Sequence, residues 1–262
     1  MKSINFDRAA TFYDATRKLQ EDVSEKITQA LLAEIRAAGA GRVLEVGIGT
    51  GRMARPLMLA GIQMVGVDIS TEMMAQLRAQ LTPEHTPPEL LLGDATALPF
   101  REGSFRAAMV VHVLHLVASV EDALREIKRV TAPGGVLLQQ TRIAHAETQR
   151  VWDGHDELWN RMLAERGFTR RKRPEPADID RLVMSLGGTI TEVEVGRGEH
   201  EWTVEDEFEN LRTRRHSWMW EIPDALIEEC SPEYEAWMRE MARPSGKFVD
   251  RVTYVVQVCH WP

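Results

Sequence analysis

An α/β fold, a seven-stranded mostly parallel sheet with its last strand antiparallel and helices on both faces, is predicted by three observations. Apolar strand-length runs alternate with helix-period segments through the first half of the chain, which demands right-handed crossovers and a parallel sheet. Several of these runs end in glycine or an acidic residue, at Val46-Gly47, Asp68 and Gly93-Asp94, where an open α/β sheet admits a ligand. At 262 residues and 44% hydrophobic, the chain can bury one large core and requires no split into independent domains.

The elements follow in order. Phe6 to Ala38 carries Val23, Ile27, Ala30, Leu31 and Ile35 at helical spacing and stops near Gly39 and Gly41, which predicts a helical lead-in crossing the ligand mouth. Val43 to Val46 is a short buried strand running into Gly47-Ile48-Gly49-Thr50-Gly51-Arg52. Glycines there can take positive φ and let a ligand lie against bare backbone. A dinucleotide fingerprint would place its third glycine where Arg52 stands, so the turn points away from NAD or FAD. A helix over 52–60 follows, then a strand from Gln63 to Ile69. Asp68 sits about 20 residues past the first glycine, where a carboxylate accepts the hydroxyl protons of a ribose. Thr71 to Leu81 reads as a helix capped by Ser70 or Thr71. Leu90 to Ala95 is a third strand end with Asp94, and Phe105 to Val117 a fourth strand. Val120 to Val130 is the next helix, and Val130 to Gln139 carries Pro133-Gly134-Gly135 ahead of a fifth strand.

Taken together, Leu-Glu-Val-Gly-x-Gly-x-Gly at 44–51, Gly66-Val67-Asp68, Gly93-Asp94-Ala95-x-x-Leu98-Pro99-Phe100 and Glu126 to Val130 with Pro133-Gly134-Gly135 resemble a class I S-adenosylmethionine-dependent methyltransferase. The resemblance covers residues 43–140 and is closest to the ubiquinone/menaquinone-biosynthesis-like (methyltransferase type 11) branch; Phe6 to Ala10 and Tyr13-Asp14 resemble the start of that branch. It implies a Rossmann-like fold, S-adenosyl-L-methionine as cofactor and S-adenosyl-L-homocysteine as product. Carried over by position, Glu45, Gly47, Gly49 and Gly51 meet the methionine part, Asp68 and Ile69 the ribose, and Asp94 the adenine amino group with Ala95 beside the ring. Tyr13 closes over the cofactor. The donor is cationic and carries no phosphate, so carboxylates suit its pocket and a P-loop lysine would not.

His112 and His115 fall at the predicted end of the fourth strand, where this fold faces the transferred methyl. They are the candidates for base or acceptor positioning, with a hydrogen bond to the next helix as the plain alternative. Val110-Val111-His112-Val113 lacks the Pro-Pro-aromatic signature of exocyclic-amine nucleic-acid methylases, the acidic ligands of a metal-dependent enzyme and a nucleophilic cysteine. The expectation is a metal-independent in-line transfer to a small molecule, with O, N or C as the acceptor atom open. Two rivals stand beside it: a non-catalytic S-adenosylmethionine-binding partner protein, and an RNA or protein methyltransferase.

After Thr141 the character changes. All seven tryptophans lie beyond residue 150. Glu147 to Arg166 and Val204 to Met241 read as helical, the second broken at Pro223 and Pro232; Thr189 to Val195 and Val249 to Cys259 read as strands. This predicts a sheet core at about 39–145, 186–204 and 246–262, an N-terminal helical lead-in at 1–38, and a helical lid at about 146–185 and 205–245. Trp152, Trp159, Trp218 and Trp220 are the candidate acceptor-pocket residues, each weighed against ordinary core packing.

A net charge of -8 disfavours a nucleic-acid partner, no DNA contact is expected, and the run Arg166, Arg170, Arg171, Lys172, Arg173 is the exception that would serve RNA if it is not a solvated loop. Cys230 and Cys259 lack metal or disulfide spacing and read as packing residues. With no signal peptide and no 18-residue apolar stretch, a soluble cytoplasmic protein without a membrane span is expected. Oligomeric state is left open.

Overall fold

Seven strands form one sheet in the computed structural model, which describes residues 2–17, 19–242 and 245–262. They are β1 (Arg42–Val46), β2 (Gln63–Asp68), β3 (Glu89–Leu92), β4 (Phe105–Val110), β5 (Thr131–Ala144), β6 (Thr189–Thr203) and β7 (Lys247–His260). The order is β3-β2-β1-β4-β5-β7-β6, with β1 parallel to β2 and β4, β2 to β3, and β4 to β5. The direction of β7 is opposite. Its Trp261 N–H donates to Gly135 O at 3.0 Å and Arg251 O accepts from His145 N–H at 2.9 Å, so β7 residue numbers fall as those of β5 rise. Across its other edge, Gln257 pairs with Glu192, Arg251 with Glu199 and Lys247 with Glu201, which is again antiparallel.

The chain divides into two compact units: Met1–Thr141, Pro174–Gly196 and Tyr254–Pro262 in the first, Arg142–Arg173 and Arg197–Thr253 in the second. In the first unit the strand period of two decides which side each residue packs on. Val43, Met64, Ala107, Met109, Val136 and Val258 face a core filled by α1 (Glu21–Ala37), α2 (Ala54–Leu59) and α3 (Thr71–Ala79). Their neighbours Leu44, Val65, Ala108, Leu137 and Cys259 face α4 (Val120–Val130) and α6 (Pro176–Ser185). Both faces are thus covered by helices, as parallel strands require.

The second unit has its own core. Leu158, Trp159, Met162 and Leu163 of α5 (Ala146–Glu165) pack with Val204 and Leu211 of α7 (Val204–Arg212) and with Ile227, Cys230, Tyr234 and Met238 of α8 (Asp224–Met241). Both cysteines are free and buried.

Several boundaries differ from the sequence reading, each for a local reason. The lead-in is not one helix: 3-10 turns at Asp7–Ala9 and Asp14–Arg17 precede α1, which begins at Glu21. The Phe6–Ala38 periodicity was carried by its second half, whose Val23, Ile27, Leu31 and Ile35 are buried. β4 ends at Val110 rather than Val117, so both histidines lie in the loop beyond it. Pro232 does not break α8; the Ser231 hydroxyl donates to the Ile227 carbonyl at 2.6 Å, an extra tie in the turn that Pro232 deprives of a backbone donor. α6 had no counterpart in the periodicity, although Pro176 at its first position and the Glu175/Asp178 capping box mark its start. No helix among the described residues is long and apolar enough to cross a membrane.

Candidate functional site

The carboxyl ends of β1 and β4 flank the point where strand order reverses, and a cavity of about 790 Å³, including its open mouth, lies there. Its walls come from the loops after β1, β2, β3 and β4 and from the N-terminal segment. Tyr13, Glu45, Gly47, Gly49, Asp68, Ile69, Asp94, Ala95 and His112 all line it. Gly51 and His115 do not.

Packing by the protein itself adds a second demand for glycine in this turn. Gly47 has φ 73°, and a Cβ there would meet Val113 Cγ2 at 2.2 Å; Gly51 has φ 71°, and a Cβ would meet Leu77 Cδ1 at 2.3 Å. Both positions are closed to side chains by the protein itself, through the β4–α4 loop and α3. Gly51 therefore shapes the turn from behind the cavity wall. Between them the Gly49 N–H donates to Asp68 Oδ2 at 2.8 Å.

Asp68 takes a second backbone donor, Ser70 N–H, on Oδ1 at 2.8 Å. Each oxygen keeps a lone pair for a further donor. Burial raises the Asp68 carboxyl above its ordinary pKa, against the lowering effect of these backbone donors. Asp94 accepts from Thr96 N–H and Oγ1 at 2.9 and 2.8 Å through Oδ1 alone. Burial would raise Asp94, but the Ser3 hydroxyl and the two Thr96 donors outweigh it and hold the carboxyl below its ordinary value. One oxygen of Asp94 caps the turn while the residue still faces the cavity, so the capping and ligand-binding readings are compatible.

Glu45 is 3% exposed, and its Oε2 has no hydrogen-bond partner among the described residues. Burial pushes its carboxyl up to about 8, with the Arg52 guanidinium lowering it and Asp68 raising it. A buried carboxyl with an open oxygen beside a cavity is completed by a cationic ligand group. The donor chemistry therefore fits: an ammonium for Glu45, a sugar diol for Asp68 and an amino-substituted ring for Asp94.

Over the cavity runs the N-terminal segment, whose Ser3, Ile4, Phe6 and Tyr13 line it. Ile4 N–H donates to Leu116 O at 2.9 Å and Ser3 Oγ accepts from Ala118 N–H at 3.0 Å. Asn5 donates to Ile69 O at 3.3 Å, and Asp7 accepts from Ser70 Oγ at 2.5 Å. Asp14 accepts from Thr50 Oγ1 at 2.5 Å and Arg55 Nη2 at 3.1 Å. The segment is thus fastened to the loops after β4, β2 and β1 in turn. Asp7 and Asp14 were read in the sequence only as part of the segments resembling the branch's start, and Asn5 was not singled out; their contacts to the loops were not read.

His112 sits at φ 57°, a left-handed conformation uncommon for a non-glycine residue, two positions past β4. His115 is half-buried away from the cavity lining. The four tryptophans proposed for the acceptor pocket all lie in the second unit, and none is in this lining. Trp159 is fully buried, its ring 5.2 Å from Trp218 and 5.1 Å from Tyr234, so it is core rather than pocket wall. Trp220 donates to Arg214 O at 2.7 Å, and Trp152 lies under the Arg142 guanidinium at 4.9 Å. In the basic run, Arg170 is engaged internally with Asn160 and Asp156 and stacks over Trp218. Arg166 holds the Met162 carbonyl, so the run is not a uniformly presented cationic face.

Residues 44–139 match the methyltransferase domain family. That segment is similar to the methyltransferase domain of curated methyltransferases. A malonyl-[acyl-carrier protein] O-methyltransferase of Enterobacter lignolyticus is 30% identical over 154 residues, 58% of this chain and 58% of that protein. A demethylmenaquinone methyltransferase of Renibacterium salmoninarum is 35% identical over 134 residues, 51% of this chain and 55% of that protein. The chain thus spans a little over half the length of the curated relatives it matches. In fold it is similar to the YcgJ protein of Bacillus subtilis, with a TM-score of 0.59 at 16% identity over 90% of this chain and 98% of that one. S-adenosylmethionine is the methyl donor of the matched family, and the methyltransferase domain occupies the same residues that build the cavity's loops after β1 to β4.

Proposed function

We propose that this protein transfers a methyl group from S-adenosylmethionine to a small-molecule acceptor, without a metal. The observation that carries the reading is the open, buried oxygen of Glu45 in a cavity that also presents Asp68 and Asp94 at neighbouring strand ends. Glu45 would take the donor's ammonium, Asp68 the ribose hydroxyls and Asp94 the adenine amino group. When bound, the donor supplies a methyl whose bond to sulfur breaks as the acceptor's lone pair forms the new bond, leaving S-adenosylhomocysteine.

The chain's own part is positioning and exclusion of water. Ile4, Phe6, Met53, Val113, Leu116 and Val117 give the cavity an apolar lining beside its few polar groups, which suits a displacement that water would dilute. Phe6 and Tyr13 pack edge to face at 5.8 Å, fixing the Tyr13 ring toward the cavity. His112 is the group on the β4 side that would orient the acceptor or take its proton.

Titration of S-adenosylhomocysteine, followed by turnover of labelled S-adenosylmethionine with a metabolite pool, tests the reading. Binding with label appearing in a small molecule is expected. Binding with no turnover across broad pools would favour a non-catalytic partner protein, and label in RNA or protein would favour the macromolecular alternative. Asp68→Ala is expected to weaken S-adenosylhomocysteine by about 2 kcal/mol, the scale for losing a charged hydrogen-bond partner. Unchanged affinity in calorimetry would remove Asp68 from the donor site.

A further inference from the structure

The run Glu126-Ile127-Lys128-Arg129-Val130 stands out in the sequence, yet none of its residues lines the cavity. Two of them grip a loop that does. Arg129 and Glu126 form a two-pronged pair on α4, Nε to Oε1 at 2.6 Å and Nη2 to Oε2 at 2.7 Å. Both groups also reach the loop after β3. Arg129 Nη2 donates to Leu98 O at 3.0 Å, Arg129 Nη1 donates to Phe100 O at 2.8 Å, and Glu126 Oε2 accepts from Leu98 N–H at 2.8 Å. One ion pair thus holds three backbone groups within 98–100. The Arg129 hydrogen bond keeps the Glu126 carboxyl below its ordinary pKa, against burial and with help from Leu98 N–H.

An ion pair on a helix surface needs no such partners, because water supplies them. Arg125 and Glu121, one turn earlier on α4, pair with each other and make no hydrogen bond to this loop among the described residues. The grip of Arg129 and Glu126 is therefore directed at what the loop carries. Upstream of it, Gly93 N–H donates to Asp68 O at 3.0 Å and Ala97 N–H donates to Asp94 O at 3.0 Å. A turn is closed between the end of β2 and the clamp, and its Asp94 and Ala95 line the cavity. Ala95 and Leu98 are buried with Ala123, Leu124 and Ile127 of α4, so the loop lies on the helix that clamps it. Thr96 occupies Asp94 Oδ1, which leaves the position of this turn to set where Oδ2 points. A carboxylate tells a donor from an acceptor only at hydrogen-bond distance, so a shift of about 1 Å erases the distinction.

We propose that Glu126 and Arg129 are positioning residues for recognition of the adenine amino group, acting through the Asp94–Ala97 turn without touching the ligand. The proposal rests on the reading of the cavity as the site of the adenosyl donor, with Asp94 at the adenine.

Calorimetry on the full chain tests it with S-adenosylhomocysteine and S-inosylhomocysteine, in which an accepting oxygen replaces the adenine amino group. Wild type is expected to prefer the adenine ligand by about tenfold or more, the effect of one charged hydrogen-bonding partner. In Arg129→Gln and Glu126→Gln the adenine ligand is expected to weaken toward the inosine one while the inosine ligand stays nearly level, so that the preference collapses. Arg129→Lys, which keeps the charge but not the fork, should restore part of it. Arg125→Gln should leave the preference at the wild-type value. Melting temperatures report which variants are folded, and if Arg129→Gln is not, Glu126→Gln and Arg129→Lys carry the same comparison. Variants that weaken both ligands by the same factor, or that keep the wild-type preference, overturn the proposal, because a pair serving only the fold cannot distinguish the two bases. A wild-type chain that binds neither ligand removes the donor reading and the proposal with it. One that binds both equally removes Asp94 from the amino group and the proposal with it, and leaves the donor site standing.

Discussion

S-adenosylhomocysteine is expected to bind about tenfold more tightly for each unit of pH between roughly 6 and 8, releasing one proton on binding. The cause is Glu45, whose burial pushes its carboxyl up to about 8 in the free protein. A cationic ammonium placed against it lowers that pKa, so the bound state holds fewer protons than the free state throughout the interval. Affinity must therefore rise with pH until Glu45 is ionised without help. Calorimetry in buffers of different ionisation enthalpy counts the proton directly. Glu45→Gln should flatten the pH profile and abolish the proton release, even if it lowers affinity at every pH. A wild-type affinity that is level from pH 6 to 8 would show that Glu45 does not meet the donor's charge. The same titration separates Glu45 from Asp68, whose two backbone donors partly offset the effect of its burial.

What the sequence made legible was the part of the site written in local segments. β1, the glycine turn and Asp68 lie within 27 residues, and a strand end fixes where a carboxylate falls without any tertiary information. Asp94 and Ala95 were equally readable. The remainder depends on contacts that join distant residues. Asn5 to Ile69, Asp7 to Ser70, and Asp14 to Thr50 and Arg55 span 36 to 64 positions, and no periodicity encodes them. Arg52 was visible only as a missing glycine, and its place in the cavity lining emerges only from the fold. The tryptophans illustrate the opposite failure. A tryptophan-rich segment signals apolar surface to be buried, but the sequence does not say whether a ligand or α8 will bury it; for Trp159 the partner is Tyr234.

Below pH 7, the second unit is expected to show a stability profile in which two buried groups work against each other, and single substitutions should unmask each. The Tyr234 hydroxyl lies 2.7 Å from His155 Nδ1 and 3.4 Å from Glu207 Oε1, and Asn210 donates to Glu207 Oε2 at 3.2 Å. Burial pushes Glu207 up to about 7 and His155 down to about 4. Around His155, Asp156 opposes the lowering while Arg170, His216 and Arg173 reinforce it. A carboxyl whose folded pKa exceeds its unfolded one contributes stability that is complete below about 4.5 and lost as pH rises through 7. A histidine held neutral does the reverse: folding gains stability as pH rises from about 4 to 6.5. In the wild type the slopes nearly cancel between 4.5 and 6.5, leaving a net fall only toward pH 7. Glu207→Gln should therefore become more stable relative to wild type as pH rises from 4.5 to 7, by about 3 kcal/mol across the window. His155→Gln should show the uncovered Glu207 loss over the same range. Urea unfolding followed by tryptophan fluorescence reads the change close by, because Trp159, Trp218 and Trp237 surround Tyr234 and His155. Tyr234 has one hydroxyl proton for two neighbours, so ionising Glu207 reverses the chain: the hydroxyl turns to the carboxylate and His155 Nδ1 must become the donor. A pH-independent difference between wild type and Glu207→Gln would mean that the carboxyl does not titrate in this interval and that no such reversal occurs.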